Sequence, residues 1–392
     1  DQLVAEEAVR LGIPLIVPLP MARNLYIKDF DAVKVRENFD FLSSRAAETY
    51  ELPVTPGNTL ESISDYGDAR DQQYAQLGVF LCAHCHILLA LWDGKDNDRL
   101  GGTGQVVRFH HDDVMPGYTP ESAGSGLILT DDESDLVYHI VCSRNRPDGE
   151  PAEPLKALDY WWYSLDIKEP RAKQIPEKYR RVFRYTSEFS RDALTHADKI
   201  REEAYPLLDS KDHAILPPGL RDIDHVFRAA DWLAIHFQKR MLFALQVTHL
   251  LAMLMGLMYI IYSDLLPERY FLYAFLGFFV LAAGIHTIGA RQAWHRKYLD
   301  YRTLAEGLRV QLYWAAAGVT TDNISKFAHD NFLQAQDPDL GWIRNVMRVA
   351  GTECDASSYN DSVGLEFTLK EWLGANPGKL APISRARASS MV

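Results

Sequence analysis

A glycine-rich turn at residues 101–104 (GGTG) follows a short apolar segment at residues 86–92 (HILLALW). The apolar segment predicts a buried strand of a parallel sheet, and such sheets bind ligands outside the carboxyl ends of their strands. Glycines let the backbone approach a ligand closely, and a helix that begins near Gln105 would point amide N–H groups at the same place. The turn therefore predicts a phosphate site, with a flexible loop that binds nothing as the alternative.

Three cations could pair with the phosphates of a ligand at this turn, namely Lys95, Arg108 and Arg144. Each of them could equally be a solvated cation of the surface. The chain carries a net charge of -12, so its bulk charge will not attract nucleic acid. An anionic ligand would therefore need a local pocket of this kind.

Residues 82–86 (CAHCH) match the C-x-x-C-H signature of c-type haem attachment. That attachment needs an exported, accessible loop, whereas this segment joins a predicted amphipathic helix at residues 69–82 to a predicted buried strand. A second pair of zinc ligands is missing at suitable spacing. We therefore expect small packing residues here, with no metal and no cofactor, and the four cysteines do not suggest a disulfide framework.

Two apolar segments, residues 241–262 and 270–290, contain no Asp, Glu, Lys or Arg. A helix needs about 20 apolar residues to cross the hydrocarbon core of a bilayer, and both segments reach that length. Only residues 263–269 (SDLLPER) separate them. The sequence therefore predicts a transmembrane helical hairpin, while the rest of the chain has the composition of a water-soluble protein.

Few polar residues lie inside the two predicted spans, and counting 1.5 Å per residue puts those of both spans at comparable depth. They are Gln246, Thr248, His249, His286 and Thr287. Polar groups within a span either line a water pathway or hydrogen-bond between helices, and both interpretations stay open. Two spans cannot enclose a pore, so a channel requires a homo-oligomer, for which we favour a tetramer.

Basic residues flank the predicted hairpin on the side opposite its loop. Lys239 and Arg240 precede the first span, and Arg291, Arg296 and Lys297 follow the second. Because positively charged flanks stay in the cytoplasm, we expect both termini to be cytoplasmic. The chain would then be a two-span protein of the inner membrane.

The segments before residue 146 alternate between strand and helix patterns. Apolar segments at residues 13–19, 86–92 and 136–142 predict strands, and the spacing at residues 34–50 and 69–82 predicts helices. This alternation indicates an α/β fold with a parallel sheet. The chain opens inside a helical pattern without Met, so we interpret it as a fragment that lacks its true start.

After a linker at residues 145–154, the pattern is nearly all helical. We expect linking helices over residues 147–219. The helix from residue 220 should run directly into the first span, and the second span should continue without a break through residues 291–317. Shorter helices are expected at residues 323–335 and 341–350. A C-terminal segment, residues 351–392, follows them, and we expect its tail to be disordered.

The first part of the chain resembles the SLOG superfamily of Rossmann-like nucleotide sensors, which are related to LOG enzymes and DprA. The similar residues are IPLIVPLP, Tyr26, Asp29-Phe30, HILLALWDGK and GGTGQVV, within residues 1–146. LOG enzymes carry the motif P-G-G-x-G-T-x-x-E, in which Glu serves hydrolysis. Here Leu100, Gln105 and Arg108 take the Pro, Thr and Glu positions. The resemblance therefore implies nucleotide binding and argues against that hydrolysis.

The resemblance implies ligand contacts along the carboxyl ends of the strands. The candidate ligand-binding residues are Pro20, Met21, Tyr26, Trp92, Asp93, Gly94, Lys95, Gly101, Gly102, Thr103, Gly104, Gln105, Arg108 and Arg144. A cyclic dinucleotide, a short linear oligonucleotide or an ADP-ribose derivative would fit an amide-lined pocket. No catalytic residue is predicted.

The region at residues 220–350 resembles the SLATT family of two-span membrane effectors from bacterial anti-phage loci. The similar residues are HRKYLDYR at 295–302, LAEGLRVQ at 304–311, Tyr313-Trp314 and GWIR at 341–344. Together the resemblances imply an anti-phage effector that forms a pore. A partner nucleotidyltransferase would make its regulatory nucleotide, and the open pore would disrupt the bacterial membrane and cause abortive infection.

Two other functions are compatible with the sequence. The hairpin could anchor a nucleotide-processing enzyme of LOG-like type, which would need a carboxylate near the glycine turn. Asp93 and Asp112 are the candidates, although neither occupies the motif position. Alternatively, the chain could be a scaffold that recruits a partner to the membrane without conducting ions.

Overall fold

A computed structural model describes residues 2–95, 99–119, 136–145, 147–164, 170–209, 211–212, 216–318, 340–356 and 362–373. The predicted helix at residues 323–335 and the predicted disordered tail lie outside these residues. The chain divides into two compact units. Unit 1 comprises Asp1–Thr186, Ser210–Ile223 and Gln311–Val392, and unit 2 comprises Ser187–Asp209 and Asp224–Val310. The boundaries between the two units therefore differ from the domain boundaries that the sequence predicts, at residues 146, 219 and 350.

Unit 1 contains the strands. They are β1 (Ile16–Leu19), β2 (Glu48–Glu51), β3 (Leu88–Trp92), β4 (Val137–Val141), β5 (Tyr160–Tyr163) and β6 (Arg171–Ala172). β1 pairs with β2 in parallel, and a separate sheet has the order β3-β4-β5-β6. Within that sheet β3 and β4 are parallel, whereas β5 and β6 are antiparallel to their neighbours. The predicted parallel pairing is confirmed, but the described strands form two small sheets instead of one.

The helices before residue 210 are α1 (Gln2–Arg10), α2 (Arg23–Tyr26), α3 (Val33–Arg45), α4 (Asp68–His84), α5 (Thr103–Asp112), α6 (Glu177–Thr195) and α7 (Ala197–Glu203). The later helices are α8 (Gly219–Ile260), α9 (Arg269–Arg291), α10 (Trp294–Ala316), α11 (Gly341–Ala350), α12 (Thr352–Ala356) and α13 (Ser362–Thr368). The predicted helices at residues 69–82 and 341–350 are confirmed, and α8 runs without interruption into the first apolar segment as expected.

Three strands lie where helix was predicted. The helix predicted over residues 34–50 ends at Arg45, and β2 pairs with β1 from Glu48 onward. After residue 154, where the pattern predicts a nearly all-helical region, β5 and β6 instead extend the sheet of β4. In β5 the sequence YWWY has high strand propensity, since aromatic side chains pack well on a pleated surface.

The core of unit 1 forms where α5 packs between α4 and one face of the β3–β4 sheet. Gly78 on α4 lets Val106 on α5 approach, because a Cβ at Gly78 would lie 2.7 Å from a Val106 methyl carbon. On the sheet side, the buried cluster is Ala90, Trp92, Val107 and Val137. Leu89 and Leu91 on the opposite face of β3 are exposed. This strand is therefore buried on one face only, not on both as predicted.

Unit 2 contains the two apolar helices, which are long and apolar enough to cross a membrane. Only 6% of the most apolar part of the first helix and 0% of that of the second is buried within the chain. A Cβ at Gly256, Gly277 or Gly284 would meet no atom within 4 Å. Within the described residues, the apolar surface of these helices is thus almost entirely uncovered.

The sequence predicts that the second apolar helix continues without a break through residues 291–317, and this prediction was wrong. α9 ends at Arg291 and α10 begins at Trp294, because Ala293 adopts a left-handed conformation with a φ of 51°. A Cβ at Gly289 would lie 3.3 Å from the Trp294 ring. The absence of a side chain at Gly289 therefore leaves room for Trp294 to fold back against the end of α9.

Buried ion pairs connect the helices next to the apolar segments in unit 2. On α6, the Asp192 carboxylate accepts hydrogen bonds from Lys297 Nζ and from the Tyr301 hydroxyl, both at 2.7 Å. Lys297 also lies 3.2 Å from Glu188, and Arg296 contacts Glu188. Only 9% of the Lys297 side chain and 14% of that of Asp192 are exposed. These contacts fasten α10 to α6.

Replacing Asp192 by Ala should destabilise unit 2 strongly, because the Lys297 ammonium would stay buried without its carboxylate. Removing one partner of a buried pair costs about 3–5 kcal/mol. As a control, Asp198→Ala removes an exposed pair with Arg201, and the free energy of unfolding should fall by less than about 1 kcal/mol. Chemical unfolding in detergent micelles would measure both losses. Similar small losses for the two variants would contradict the expected role of Asp192.

Candidate nucleotide site and membrane helices

The glycine turn follows β3 and leads into α5, as predicted, with the helix beginning at Thr103 instead of near Gln105. Gly101 has a φ of 71°, and a Cβ there would lie 2.8 Å from the backbone nitrogen of Ala75 on α4. The Gly101 N–H donates to the Gln105 side chain at 3.2 Å. Gly101 is therefore used for packing of the turn against α4.

Gly102 is the N-cap residue of α5, and no side chain caps the helix there. The first N–H groups of a helix have no partner within the helix itself. Thr103 at this end is exposed, whereas Gly104 and Gln105 are buried. The geometry leaves a ten-residue helix with its positive end at the turn, which is the arrangement that favours an anion.

The loop after β1 is held on α4 by a buried ion pair. The Arg70 guanidinium lies 2.8 Å from Asp29, and the Tyr74 hydroxyl donates to the same carboxylate. Tyr26 lies against Tyr74, with ring centroids 6.4 Å apart, and burial raises the pKa of Tyr26. A Cβ at Gly101 would also contact Tyr74. Two of the predicted site residues, Tyr26 and Gly101, therefore both lie against Tyr74 on α4.

Two of the predicted phosphate-binding cations have partners within the protein. Arg144 Nε lies 2.8 Å from the fully buried Asp93 carboxylate, and the Asp93 side chain also accepts from the Lys95 backbone N–H. Lys95 Nζ donates to the Asp148 carbonyl at 2.7 Å, and the Trp92 indole donates to the Lys95 carbonyl. Lys95 and Arg144 therefore stabilise the loop after β3.

The remaining predicted residues differ in accessibility. Pro20 and Met21 are buried at the end of β1, and Gly94, with a φ of 80°, packs against Leu155. Arg108 is exposed on α5, one turn beyond the glycine turn. Thr103 and Arg108 thus remain the accessible polar side chains of the set around α5.

A buried histidine in β4 was missed by the sequence analysis. His139 is fully buried, its Nε2 lies 3.0 Å from the Trp92 carbonyl, and Arg171 lies 2.7 Å from its Nδ1. Burial lowers the pKa of His139, so the neutral ring donates from Nε2 to the carbonyl and accepts from Arg171 at Nδ1. The inward position of His139 in the alternating strand pattern could have indicated this role. The hydrogen bonds of His139 connect β4 to β3 and to β6, next to the predicted site residue Trp92.

The C-x-x-C-H segment contacts α11 and the residues that follow it. His84 Nδ1 lies 2.9 Å from the Arg348 carbonyl, and His86 Nε2 lies 2.8 Å from the Asn345 carbonyl. The cysteines of this segment are free thiols, and Cys82 is buried. Among the described residues, no group of three or more His, Cys, Asp or Glu side chains could hold a metal ion. The two histidines dock α11 within unit 1.

Three of the five predicted pore residues hydrogen-bond to the backbone of their own helix. Thr248 donates to the Ala244 carbonyl at 2.7 Å, His249 lies 2.8 Å from the Leu245 carbonyl, and Thr287 donates to the Ala283 carbonyl at 2.7 Å. The two remaining residues, Gln246 and His286, are exposed. All five therefore lie on the two apolar helices, whose most apolar parts are almost entirely unburied among the described residues.

The chain has no match among models of protein families, curated proteins or solved structures.

The close approach of Gly101 to α4 can be tested by Gly101→Ala. The variant should lose about 1 kcal/mol from the left-handed backbone conformation and about 1–3 kcal/mol more from the clash with the α4 backbone. Gly117→Ala is the matched control, because Gly117 also has a positive φ but a Cβ there would meet only Leu100 at 3.9 Å. Urea unfolding of both variants measures the difference. Equal losses would contradict the packing role of Gly101.

Asp355 on α12 should make the stability of unit 1 depend on pH. Its carboxylate lies 3.5 Å from His84 Nε2, and burial raises the pKa of Asp355 to about 7. Because the folded state holds this proton more tightly, the stabilisation is present below about pH 4 and is lost as the pH rises to about 7. Relative to Asp355→Asn, the wild type should lose up to about 4 kcal/mol across that window.

Urea unfolding of the wild type and of Asp355→Asn at pH 4 and at pH 8 would measure this loss. The difference between the two proteins is the relevant quantity, because the lowered pKa of His139 contributes with the opposite sign. The same pH dependence in both proteins would contradict the role of Asp355.

Proposed function

We propose that the protein is a nucleotide-gated, oligomeric membrane effector that forms an ion channel or pore in bacterial anti-phage defence. The observation that carries the proposal is the construction of unit 2. The first apolar segment is part of α8, and the second, in α9, is followed directly by α10. Buried ion pairs connect α10 to α6 and to α8. A simple membrane anchor has no need for a buried charged network beside its spans, whereas a gate needs helices that move as a unit.

The proposed sensor is a Rossmann-like domain of the SLOG type within unit 1. Its support is the parallel β3–β4 pair, the glycine turn after β3 and the uncapped N-terminal turn of α5. A nucleotide phosphate would bind at Gly102–Gln105, with Arg108 and Thr103 as the accessible polar side chains. Because Lys95 and Arg144 already have partners in the protein, the backbone amides would provide most of the phosphate contacts.

The proposed pore is formed by several copies, with a tetramer favoured. Two spans cannot surround a water-filled path, and the apolar helices of one chain bury almost none of their surface. Gln246, His249 and His286 are the candidates to line the path. The protein would lie in the bacterial inner membrane, with both termini in the cytoplasm and the loop between the spans outside.

The ligand must have different affinities for the closed and open states, since otherwise it shifts no equilibrium. α6, α8 and α10 contribute residues to both units, so they are the proposed carriers of the signal. The nucleotide would come from a partner nucleotidyltransferase, and opening would dissipate the membrane gradient and arrest the infected cell. The ligand could open the pore or hold it shut.

The alternative is a membrane-anchored nucleotide-processing enzyme. It would need a carboxylate at the glycine turn. Asp93 is fully buried against Arg144, and Asp112 lies at the far end of α5, about 14 Å from Thr103 at 1.5 Å per residue. This arrangement favours a sensor over an enzyme at this turn.

Ion flux from liposomes that contain the full chain tests the proposal. Flux should change when cyclic dinucleotides, short linear oligonucleotides or ADP-ribose derivatives are added, and Gly102→Trp should abolish the response by filling the turn. Glu61→Trp, in an exposed loop, is the control and should respond as the wild type does. Constant impermeability of a correctly inserted oligomer would overturn the channel, and nucleotide turnover without flux would support the enzyme.

A further inference from the structure

Four cations of α10, which lie deeper in the helical bundle of unit 2, have carboxylate partners. These paired cations are Arg296, Lys297, Arg302 and Arg309. Arg302, for example, lies 3.0 Å from Asp231, and Arg309 lies 2.9 Å from Glu306. The protein therefore supplies an anion to each of them.

The boundary cations, Lys239, Arg240 and Arg291, differ in this respect. All three are exposed, and within the described part of the chain no carboxylate lies at salt-bridge distance from any of them. Burial and, after it, the charge of Arg240 lower the pKa of the nearby His236. Among the described residues, these three positive charges therefore have no carboxylate at salt-bridge distance.

The boundary cations also share one level along the hairpin. Lys239 and Arg240 precede the end of α8 at Ile260 by about 30–32 Å, and Arg291 follows the start of α9 at Arg269 by about 33 Å, at 1.5 Å per residue. This distance matches the hydrocarbon core of a bilayer, which is about 30 Å thick. The three charges thus lie where lipid headgroups would be.

Trp294 marks the same level. The break at Ala293 folds its indole back against Gly289, within the last turn of the apolar helix. The indole Nε1 of Trp294 is buried and has no hydrogen-bond partner among the described residues, so the ring contributes packing at this level and not a headgroup contact. The break therefore ends the apolar helix beside Arg291 and leaves this cation facing the boundary.

We propose that Lys239, Arg240 and Arg291 form a binding surface for the phosphates of anionic lipid headgroups. The lipid phosphates would supply the three cations with the anions that carboxylates supply to the four deeper cations. This inference rests on the proposed spanning of the membrane, but not on nucleotide sensing or on conduction. A cation near an anionic surface contributes about a five-fold preference, and salt weakens it.

The full-length protein in phosphatidylcholine vesicles, with spin-labelled phosphatidylglycerol or phosphatidylcholine as the probe, tests the surface. The wild type should prefer phosphatidylglycerol several-fold, and the preference should decrease as salt is added. Each of Lys239→Gln, Arg240→Gln and Arg291→Gln should reduce the preference in part, and the triple variant should show a ratio near one. Lys239→Arg should retain the preference, because it keeps the charge.

A charge-matched control is Lys28→Gln, Lys34→Gln and Arg45→Gln together, which removes three exposed cations of unit 1. This triple variant should keep the wild-type preference. A wild type that inserts but shows no preference would overturn the lipid surface while leaving the proposed channel intact. Displacement of the lipid by millimolar inorganic phosphate at constant ionic strength would assign the surface to a free anion instead. Failure to insert into any vesicle would overturn both proposals.

Discussion

The contact between Asp192 and Lys297 is the constraint on which the organisation of unit 2 depends. Apolar helices that bury almost nothing within the chain have no packing of their own to fix their direction. Their direction must come from the neighbouring helices, and the buried carboxylate of Asp192 binds both the ammonium and the hydroxyl that α10 presents. A buried pair of this kind contributes little net stability but penalises every arrangement that separates its members. It therefore specifies one relation between α6 and α10.

Unit 1 uses the same device around the candidate ligand site. Asp29 with Arg70 and Asp93 with Arg144 fix the loops that follow β1 and β3, and in each pair at least one member is almost completely buried. In the glycine turn, Gly101 packs against α4. The ion pairs hold the described parts of both loops, and such preorganisation lowers the cost of binding a ligand. These contacts are compatible with the proposed sensor, which would recognise its ligand by backbone amides.

The sequence was sufficient for features that depend on local pattern. The apolar helices, α4, α5, the parallel pairing of β3 with β4 and the position of the glycine turn follow from periodicity and composition. The roles of Lys95 and Arg144 could not be predicted, because their partners Asp148 and Asp93 lie 53 and 51 positions away. β2 was missed because its strand conformation depends on pairing with the distant β1. The break at Ala293 has no Gly or Pro signal, and the packing of Trp294 outweighs the cost of a left-handed alanine, about 1–2 kcal/mol.

That break makes the two apolar helices mechanically unequal. α8 is a single helix of 42 residues, about 63 Å long, so a rotation at its N-terminal end would also turn its C-terminal end. α9 meets α10 at a joint, where the axis can change direction within two residues. In the proposed ring of hairpins, the first helix would rotate as one body, while the second could change direction at its joint with α10. Torque applied at the N-terminal end of α8 would then turn one helix of each hairpin against the other.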